Sequence, residues 1–313
     1  MTRRGFLAGS AALTTLTGCV SGETQAKTAE EKYPPLGQFI TVDGIRMHYV
    51  EEGSGPPLVL IHGANGNVRD WTFSMMGRLS ESFRVIAIDR PGHGYSRRAI
   101  ENGADPMVQA DLMAKAARRL GADRAIIAGH SWGGAVATAW AVAHPEQVAG
   151  ASILAGATYP WGGDGGTLYA LGAGPLGGLM GAAARSYVSG DRIGKLVDDV
   201  FAPDAMPAGY ADYIGVELAL RPHTFRWNAE DIDQLNDNLT RLAPRYGELA
   251  MPLEVVHGDA DRTVFDDVHS IPLARDAQNA SLTIFPGVGH MPHHARETEV
   301  IAGLFRLRDA AFG

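Results

Sequence analysis

Short runs of largely apolar residues recur along this chain, separated by stretches with helical spacing. Leu58-Val59-Leu60-Ile61, Arg84-Val85-Ile86-Ala87-Ile88, Ala125-Ile126-Ile127-Ala128 and Ala151-Ser152-Ile153-Leu154 come first; Leu253-Glu254-Val255-Val256 and Ser281-Leu282-Thr283-Ile284-Phe285 come late. A strand that is apolar at successive positions has both faces covered, as in a parallel sheet between two helical layers. Upstream, Phe39-Ile40-Thr41-Val42, an Asp43-Gly44 turn and Arg46-Met47-His48-Tyr49-Val50 read as a hairpin, which brings the strands to eight. Between them, Asp105-Pro106 starts a helix running from Met107 to Leu120 that Gly121 stops. Residues 132–143 form an Ala-rich helix ended by His144-Pro145, and residues 292–312 read as a final amphipathic helix.

The alternation lapses between 158 and 248. Residues 161–181 are dense in glycine, and the chain's 39 glycines exceed the roughly 7% average. Helices are predicted near 190–201, 208–220 and 229–245. Because the strand pattern resumes afterwards, this stretch reads as a helical cap inserted after the sixth strand. Its aromatics, Tyr159 and Trp161 among them, either pack the cap against the body or line an apolar substrate pocket; Tyr159 and Trp161 are the pocket candidates.

One segment sits in the setting that nucleophile chemistry requires. Gly129-His130-Ser131-Trp132-Gly133-Gly134 follows an apolar strand and opens a helix, fitting the G-x-S-x-G elbow. Small residues permit the tight turn, and the helix start adds free N–H groups and positive partial charge. A serine hydroxyl needs a base. His290, in Phe285-Pro286-Gly287-Val288-Gly289-His290, lies just past the last strand at the same sheet edge; His293 and His294 fall at or inside the final helix. The histidine needs an acid to fix its tautomer. Asp261 on the loop His257-Gly258-Asp259-Ala260-Asp261-Arg262 is chosen over Asp259, which sits where it would cap the glycine turn. Oxyanion donors are expected from the backbone N–H of Trp132 and of Ala64, in the loop Ile61-His62-Gly63-Ala64-Asn65-Gly66. His62 and the Asp89-Arg90-Pro91-Gly92-His93-Gly94 loop read as structural.

From about residue 38 to 310 the chain therefore resembles α/β-hydrolase fold proteins. The resemblance rests on His62-Gly63, the Asp89–Gly94 loop, the Ser131 elbow, the Asp261 loop and Gly289-His290. It implies an α/β fold with a mostly parallel eight-stranded sheet, helices on both faces, and Ser131, Asp261 and His290 as a catalytic triad. It is similar to the capped branch holding esterases, epoxide hydrolases, haloalkane dehalogenases, carbon–carbon bond hydrolases and cofactor-free haloperoxidases. Epoxide hydrolases and dehalogenases of that branch have an aspartate where this chain has Ser131, which argues against both.

The N-terminus reads as an address. Thr2-Arg3-Arg4-Gly5-Phe6-Leu7 resembles a twin-arginine export signal, and Leu16-Thr17-Gly18-Cys19 resembles a lipoprotein signal whose cysteine becomes the lipidated first residue. The general secretory route with the same lipid is the alternative. The division expected is a signal peptide at 1–18, a lipid-anchored flexible tether at 19–36, core at 37–157, cap at 158–248 and core again at 249–313. This implies an exported protein anchored to the bacterial envelope on the periplasmic side. Cys19 is the chain's single cysteine, so no internal disulfide forms.

The expected activity is hydrolysis of a carboxylic ester with a small or medium apolar substrate, through an acyl-enzyme on Ser131. The same triad also suits lactone opening, carbon–carbon bond hydrolysis or perhydrolysis; export weighs against ring-cleavage products, which are intracellular. A reading of another class is a non-catalytic envelope-anchored binding protein. No metal or cofactor is implied, since the glycine-rich segment lacks the strand-then-helix setting of a dinucleotide motif. A formal charge of −8 argues against nucleic-acid partners.

Overall fold

The computed structural model describes residues 27–162, 167–187 and 191–313. Eight strands form one sheet: β1 Gln38–Val42, β2 Ile45–Glu52, β3 Pro57–Ile61, β4 Arg84–Ile88, β5 Ala125–His130, β6 Val148–Leu154, β7 Leu253–Gly258 and β8 Ala280–Phe285. Their spatial order is β1-β2-β4-β3-β5-β6-β7-β8. The β1/β2 and β2/β4 pairs are antiparallel and the rest of the sheet is parallel.

The continuous apolar runs have the cause the sequence suggests. Val59, Ile61, Ile86, Ile88 and Ile127 point into one buried layer; Leu58, Leu60, Val85, Ala87, Ile126 and Ala128 point into the other. The first layer packs under α1 (Pro106–Arg119) and α2 (Trp132–Ala143). The second packs under helix Met75–Ser80 and the C-terminal helix α7 (Glu297–Phe312), through Met75, Leu79, Val300 and Leu304. The Asp105 carboxylate caps α1 by accepting from Met107 N at 2.9 Å, and Gly121 at φ 76° ends the run. The predicted helix 292–312 is interrupted at Arg296 (φ −133°, ψ 46°), leaving Pro292–Ala295 as a separate turn ahead of α7.

The cap lies between β6 and β7. It contains α3 (Thr167–Ala173), α4 (Gly177–Tyr187), α5 (Asp191–Phe201), two short helices at Tyr210–Ile214 and Val216–Ala219, and the long α6 (Pro222–Leu242). The expected helix over 208–220 is broken at Gly215, which adopts φ 67°. The described part of the glycine-dense stretch is largely helical, against the low helix propensity of glycine. Two of its glycines serve close approach to α6: a Cβ on Gly172 would stand 2.9 Å from the Ala229 Cβ, and one on Gly181 2.8 Å from the Phe225 Cβ.

Part of the segment read as a tether is docked on the body. Residues 27–32 are helical, and Ala29 and Tyr33 are buried against Leu218. Arg69 Nη2 donates to Pro34 O at 2.7 Å and Tyr95 Oη donates to Tyr33 O. Two apolar side chains in an otherwise polar stretch are enough to fasten it. Cys19 and the two signal patterns lie outside the described residues. Among the described residues, no helix is long and apolar enough to cross a membrane.

Candidate active site

Ser131 is the single residue between β5 and α2, and it makes the turn at φ 53°, ψ −120°. A side chain at positive φ is strained, so the surroundings must hold it. Ser131 N donates to Leu154 O at 2.9 Å, and Gly134 N and Ala157 N both donate to Ser131 O, at 2.9 and 3.1 Å. The elbow also needs its glycines. A Cβ on Gly129 would lie 2.2 Å from Gly133 O, and one on Gly133 2.4 Å from Ile61 O.

His290 meets Ser131 from the loop after β8. Its Nε2 is 2.9 Å from Ser131 Oγ and its Nδ1 is 2.6 Å from Asp261 Oδ2. Gly289 N donates to Asp204 Oδ2 at 2.7 Å, and His290 O accepts from His130 Nε2 at 2.8 Å, so both flanks of the loop are pinned. Asp261 Oδ1 accepts from Thr263 N at 2.7 Å and Val264 N at 3.0 Å, while His257 Nε2 lies 3.1 Å from Oδ2. Burial pushes the Asp261 carboxyl up. The His257 and His290 hydrogen bonds, the electrostatic attraction of His290 and the Val264 N–H outweigh it and hold the carboxyl below the usual range. Asp259, the rival acid, accepts from Gly287 N at 2.6 Å and ties two turns together.

The loop after β3 crosses above Ser131. A Cβ on Gly63 would stand 3.1 Å from the Ser131 Cβ. Gly63 O accepts from His62 Nδ1 at 2.8 Å and Arg90 Nη2 at 3.2 Å, and His62 O accepts from Arg90 Nε at 3.1 Å. In a trans peptide the carbonyl and the following N–H point in opposite directions. Fixing Gly63 O on the Arg90 side therefore turns the Ala64 N–H away from it, and Ala64 lines the cavity at Ser131. His62 is buried and its pKa is lowered to about 3, by burial and then by Arg90, so it stays neutral and Nε2 accepts from Arg90 N.

Arg90 is itself held from the cap. Its Nη1 donates to Asp231 Oδ2 at 2.8 Å and to Gln109 Oε1 at 3.0 Å. Its guanidinium carbon lies 4.2 Å from the centroid of the Trp132 ring, whose Nε1 donates to Asp231 O at 3.1 Å. Arg98 Nη1 reaches Asp231 Oδ1 at 2.7 Å, and His93 Nε2 is 2.9 Å from Oδ2. Asn228, one turn earlier on α6, accepts from Asn65 N at 2.8 Å. One face of α6 thus positions the loop that carries Ala64. Nothing in the sequence pointed to Asp231, because its partners lie more than a hundred residues away.

The cavity above Ser131 measures about 400 Å³. Its apolar wall comes from the cap, with Leu196, Val197, Val200, Phe201, Ile214 and Val216. Among the described residues, no Lys or Arg lines it, and the one carboxylate is Asp70. Tyr159 and Trp161, offered above as pocket residues, are elsewhere. Tyr159 Oη donates to Asp276 Oδ2 at 2.7 Å with its ring on Tyr246, and Trp161 lies edge-on to His269. They follow β6 closely and turn back onto the body before the cap helices begin. The cap residues that do line the cavity are Tyr169 on α3 and residues from α5 onward.

Asp70 collects His293 and His294. Its Oδ1 accepts from Tyr210 Oη at 2.7 Å and is 2.8 Å from His294 Nε2; His293 Nε2 lies 3.3 Å from both oxygens. His293 stacks on His130 with ring centroids 4.4 Å apart. Burial opposes the Asp70 charge, but the two histidines hold the carboxyl well below its ordinary range. Asp70, His130 and His293 have the donor set for a metal ion, with ligand atoms within 4.8 Å of one another. In this structure His293 Nε2 is turned to Asp70 and His130 Nε2 to the His290 carbonyl. His293 and His294, the sequence rivals of His290, therefore face Asp70 and not Ser131.

Residues 56–296 match the family model for the alpha/beta hydrolase fold. The chain belongs to the alpha/beta hydrolase fold family. Among curated relatives, it is 29% identical over 268 residues to the dihydrolipoyllysine-residue acetyltransferase component of an acetoin cleaving system from Pseudomonas putida, covering 84% of this chain and 66% of that one. It is 35% identical over 136 residues to a 2-hydroxymuconate semialdehyde hydrolase from Pseudomonas sp. strain CF600, covering 42% of this chain and 48% of that one. The chain thus spans about half to two thirds of the length of these two family members. Among solved structures, a bacterial membrane phospholipase A described as a virulence factor superposes with a TM-score of 0.68 at 26% identity, covering 97% of this chain and 98% of that one.

Proposed function

We propose that this family member is a serine hydrolase acting on uncharged carboxylic esters with an apolar part of small or medium size. The observation that carries the reading is the unbroken chain Ser131–His290–Asp261, with contacts of 2.9 and 2.6 Å, at the floor of an apolar cavity. In this mechanism Ser131 Oγ attacks the carbonyl as His290 Nε2 takes its proton. The Ala64 and Trp132 N–H groups hold the oxyanion, each worth about 2.7–4 kcal/mol of barrier. His290 returns the proton to the leaving alcohol, and a water activated by His290 releases the acid and regenerates Ser131. Asp261 keeps His290 in the tautomer that presents Nε2 to the serine.

Lactone opening uses the same steps and is the second reading. Carbon–carbon cleavage of acidic ring-fission products is disfavoured by the cavity wall, which among the described residues offers Asp70 and no Lys or Arg to an anionic substrate. The likeness to a membrane phospholipase A over nearly the whole chain supports an ester substrate with an acyl chain. A panel of p-nitrophenyl esters of increasing chain length, lactones and a vinylogous diketone tests the reading, together with a fluorophosphonate probe. Ester turnover and probe labelling are expected, both lost in Ser131→Ala. Full turnover in Ser131→Ala would refute it, and a folded chain inert to the probe and to every substrate would favour a binding protein.

We also infer that the chain is exported and lipid-anchored at Cys19, from the coincidence of Arg3-Arg4 with Leu16-Thr17-Gly18-Cys19. Incorporation of labelled fatty acid, its loss in Cys19→Ala, and failure of export in Arg3→Lys/Arg4→Lys are the expected results. An unlabelled protein that stays in the cytoplasm with its first residues intact would refute the anchor.

A further inference from the structure

A second cavity, of about 620 Å³, lies apart from the serine site and shares no lining residue with it. Its wall includes Arg46, Arg97, Arg98 and Arg221, with Phe39 and Trp227. Four guanidiniums around one cavity stand out in a chain of formal charge −8. Two of them are compensated. Arg98 pairs with Asp231 at 2.7 Å and Glu230 at 3.3 Å, and Arg221 pairs with Glu30 at 2.8 Å.

Arg46 and Arg97 are exposed, and among the described residues neither guanidinium meets a carboxylate. Arg97 N donates to Arg46 O at 2.8 Å, which sets the two residues side by side. The Arg46 guanidinium lies 4.2 Å from the Phe39 ring centroid. A neighbouring group already registers the positive field. His223, edge-on to Trp227 at 5.2 Å, has its pKa lowered to about 4 by burial and then by Arg221 and Arg97, with Glu30 acting the other way. Arg221 is also the N-cap of the 21-residue α6, so the positive end of that helix faces the same place.

We propose that this cavity binds a doubly charged oxyanion of the phosphate class, carried by a soluble phosphate ester or by a phosphate-monoester lipid headgroup. Two uncompensated guanidiniums match two negative charges, and their planar donor forks fit phosphate oxygens bidentately. A carboxylate would neutralise half of that charge. The volume leaves room for a glycerol-sized group beyond the phosphate. The site uses no residue of the serine machinery, so it stands or falls independently of the ester reading.

The test titrates inorganic phosphate into the full chain by calorimetry while NMR follows the His223 ring. In parallel, the chain is sedimented with phosphatidylcholine vesicles with and without phosphatidic acid, using Cys19→Ala so that no N-terminal lipid contributes. Phosphate is expected to bind and to raise the His223 pKa. Affinity should fall about tenfold in Arg97→Gln and about a hundredfold in Arg46→Gln/Arg97→Gln, the size of one charge-assisted hydrogen bond per residue. Among the described residues neither guanidinium has an acidic partner to lose, and ester turnover should be unchanged. Sedimentation that needs phosphatidic acid and both arginines identifies a lipid headgroup; phosphate binding without sedimentation identifies a soluble ester. Binding of neither probe at millimolar concentration, or binding that survives the double substitution, overturns the proposal.

Discussion

Arg90→Lys separates two tasks that the buried guanidinium performs at once. One side of Arg90 neutralises Asp231 at 2.8 Å; the other donates to the carbonyls of His62 and Gly63 at 3.1 and 3.2 Å. A lysine ammonium is a compact point charge and cannot span both sides. Arg98 holds only Oδ1 of Asp231, and taking the cation away from the buried Oδ2 would uncover part of that charge, so the ammonium should stay with the carboxylate and abandon the loop. Gly63 O then keeps the His62 Nδ1–H bond and a long 3.4 Å bond from Gly66 N, and the Ala64 N–H loses part of its fixed direction. An oxyanion donor is worth about 2.7–4 kcal/mol. A donor that is loosened but not deleted should forfeit about half, roughly 1.4–2 kcal/mol, which is about a 10- to 30-fold drop in kcat. KM should change little, because the ground-state carbonyl gains little from that donor. The assay is kcat and KM on a p-nitrophenyl ester, the rate of fluorophosphonate labelling, and thermal denaturation to show that the chain is folded. A folded variant with kcat within about twofold of the parent would refute the idea that Arg90 orients the Ala64 peptide. So would a loss carried entirely by KM.

Other consequences follow from the same contacts. Ser131→Gly should melt at a higher temperature than Ser131→Ala, because glycine relieves the φ of 53° that alanine keeps; equal melting points would argue against strain at the elbow. Asp261→Asn should lower kcat by roughly 10³–10⁴-fold with little change in fold, since an amide in place of the carboxylate favours the wrong His290 tautomer; a loss below tenfold would contradict the role given to Asp261. Burial, aided by Arg90, lowers His62 to about 3 and His93 to about 4, and burial with His257 lowers His269 to about 4. These groups fold neutral and charge in the unfolded chain near its ordinary pKa of about 6.5. Their contribution to stability is therefore complete above that pH and is lost as pH falls toward 4. Urea midpoints should drop between pH 7.5 and 5, and a rise on acidification would reverse the sign argued here.

The sheet and the serine turn were legible because their causes are local. A strand buried on both faces must be apolar at successive positions, and Leu58–Ile61 and Ala125–Ala128 are written that way. The elbow was legible because Gly129 and Gly133 are each required by a backbone carbonyl within reach of a Cβ. His290 and Asp261 could be placed because strand ends in a parallel sheet collect at one edge, which converts chain order into position. The cap was less legible. The sequence predicts no helix on its glycine-dense stretch because glycine has low helix propensity, a weak prior that packing against α6 overrides. Tyr159 and Trp161 were misjudged for a related reason, since aromatic character identifies residues that must be covered without saying by what.

What stayed hidden were the carboxylates that join distant parts of the chain. Asp70 draws together Tyr210, His293 and His294, and Asp231 draws together Arg90, His93 and Arg98. Each is one acidic residue in a helical stretch, where a solvated face is the ordinary expectation. Both are buried, and a buried charge persists only if partners arrive to hold it. The partners here come from core and cap alike, so each carboxylate fastens the cap to the sheet edge that carries Ser131. The cap therefore does more than wall the cavity. Through Asp231 and Arg90 it sets the direction of a peptide beside the serine, so cap substitutions on the inner face of α6 should alter kcat as well as substrate preference.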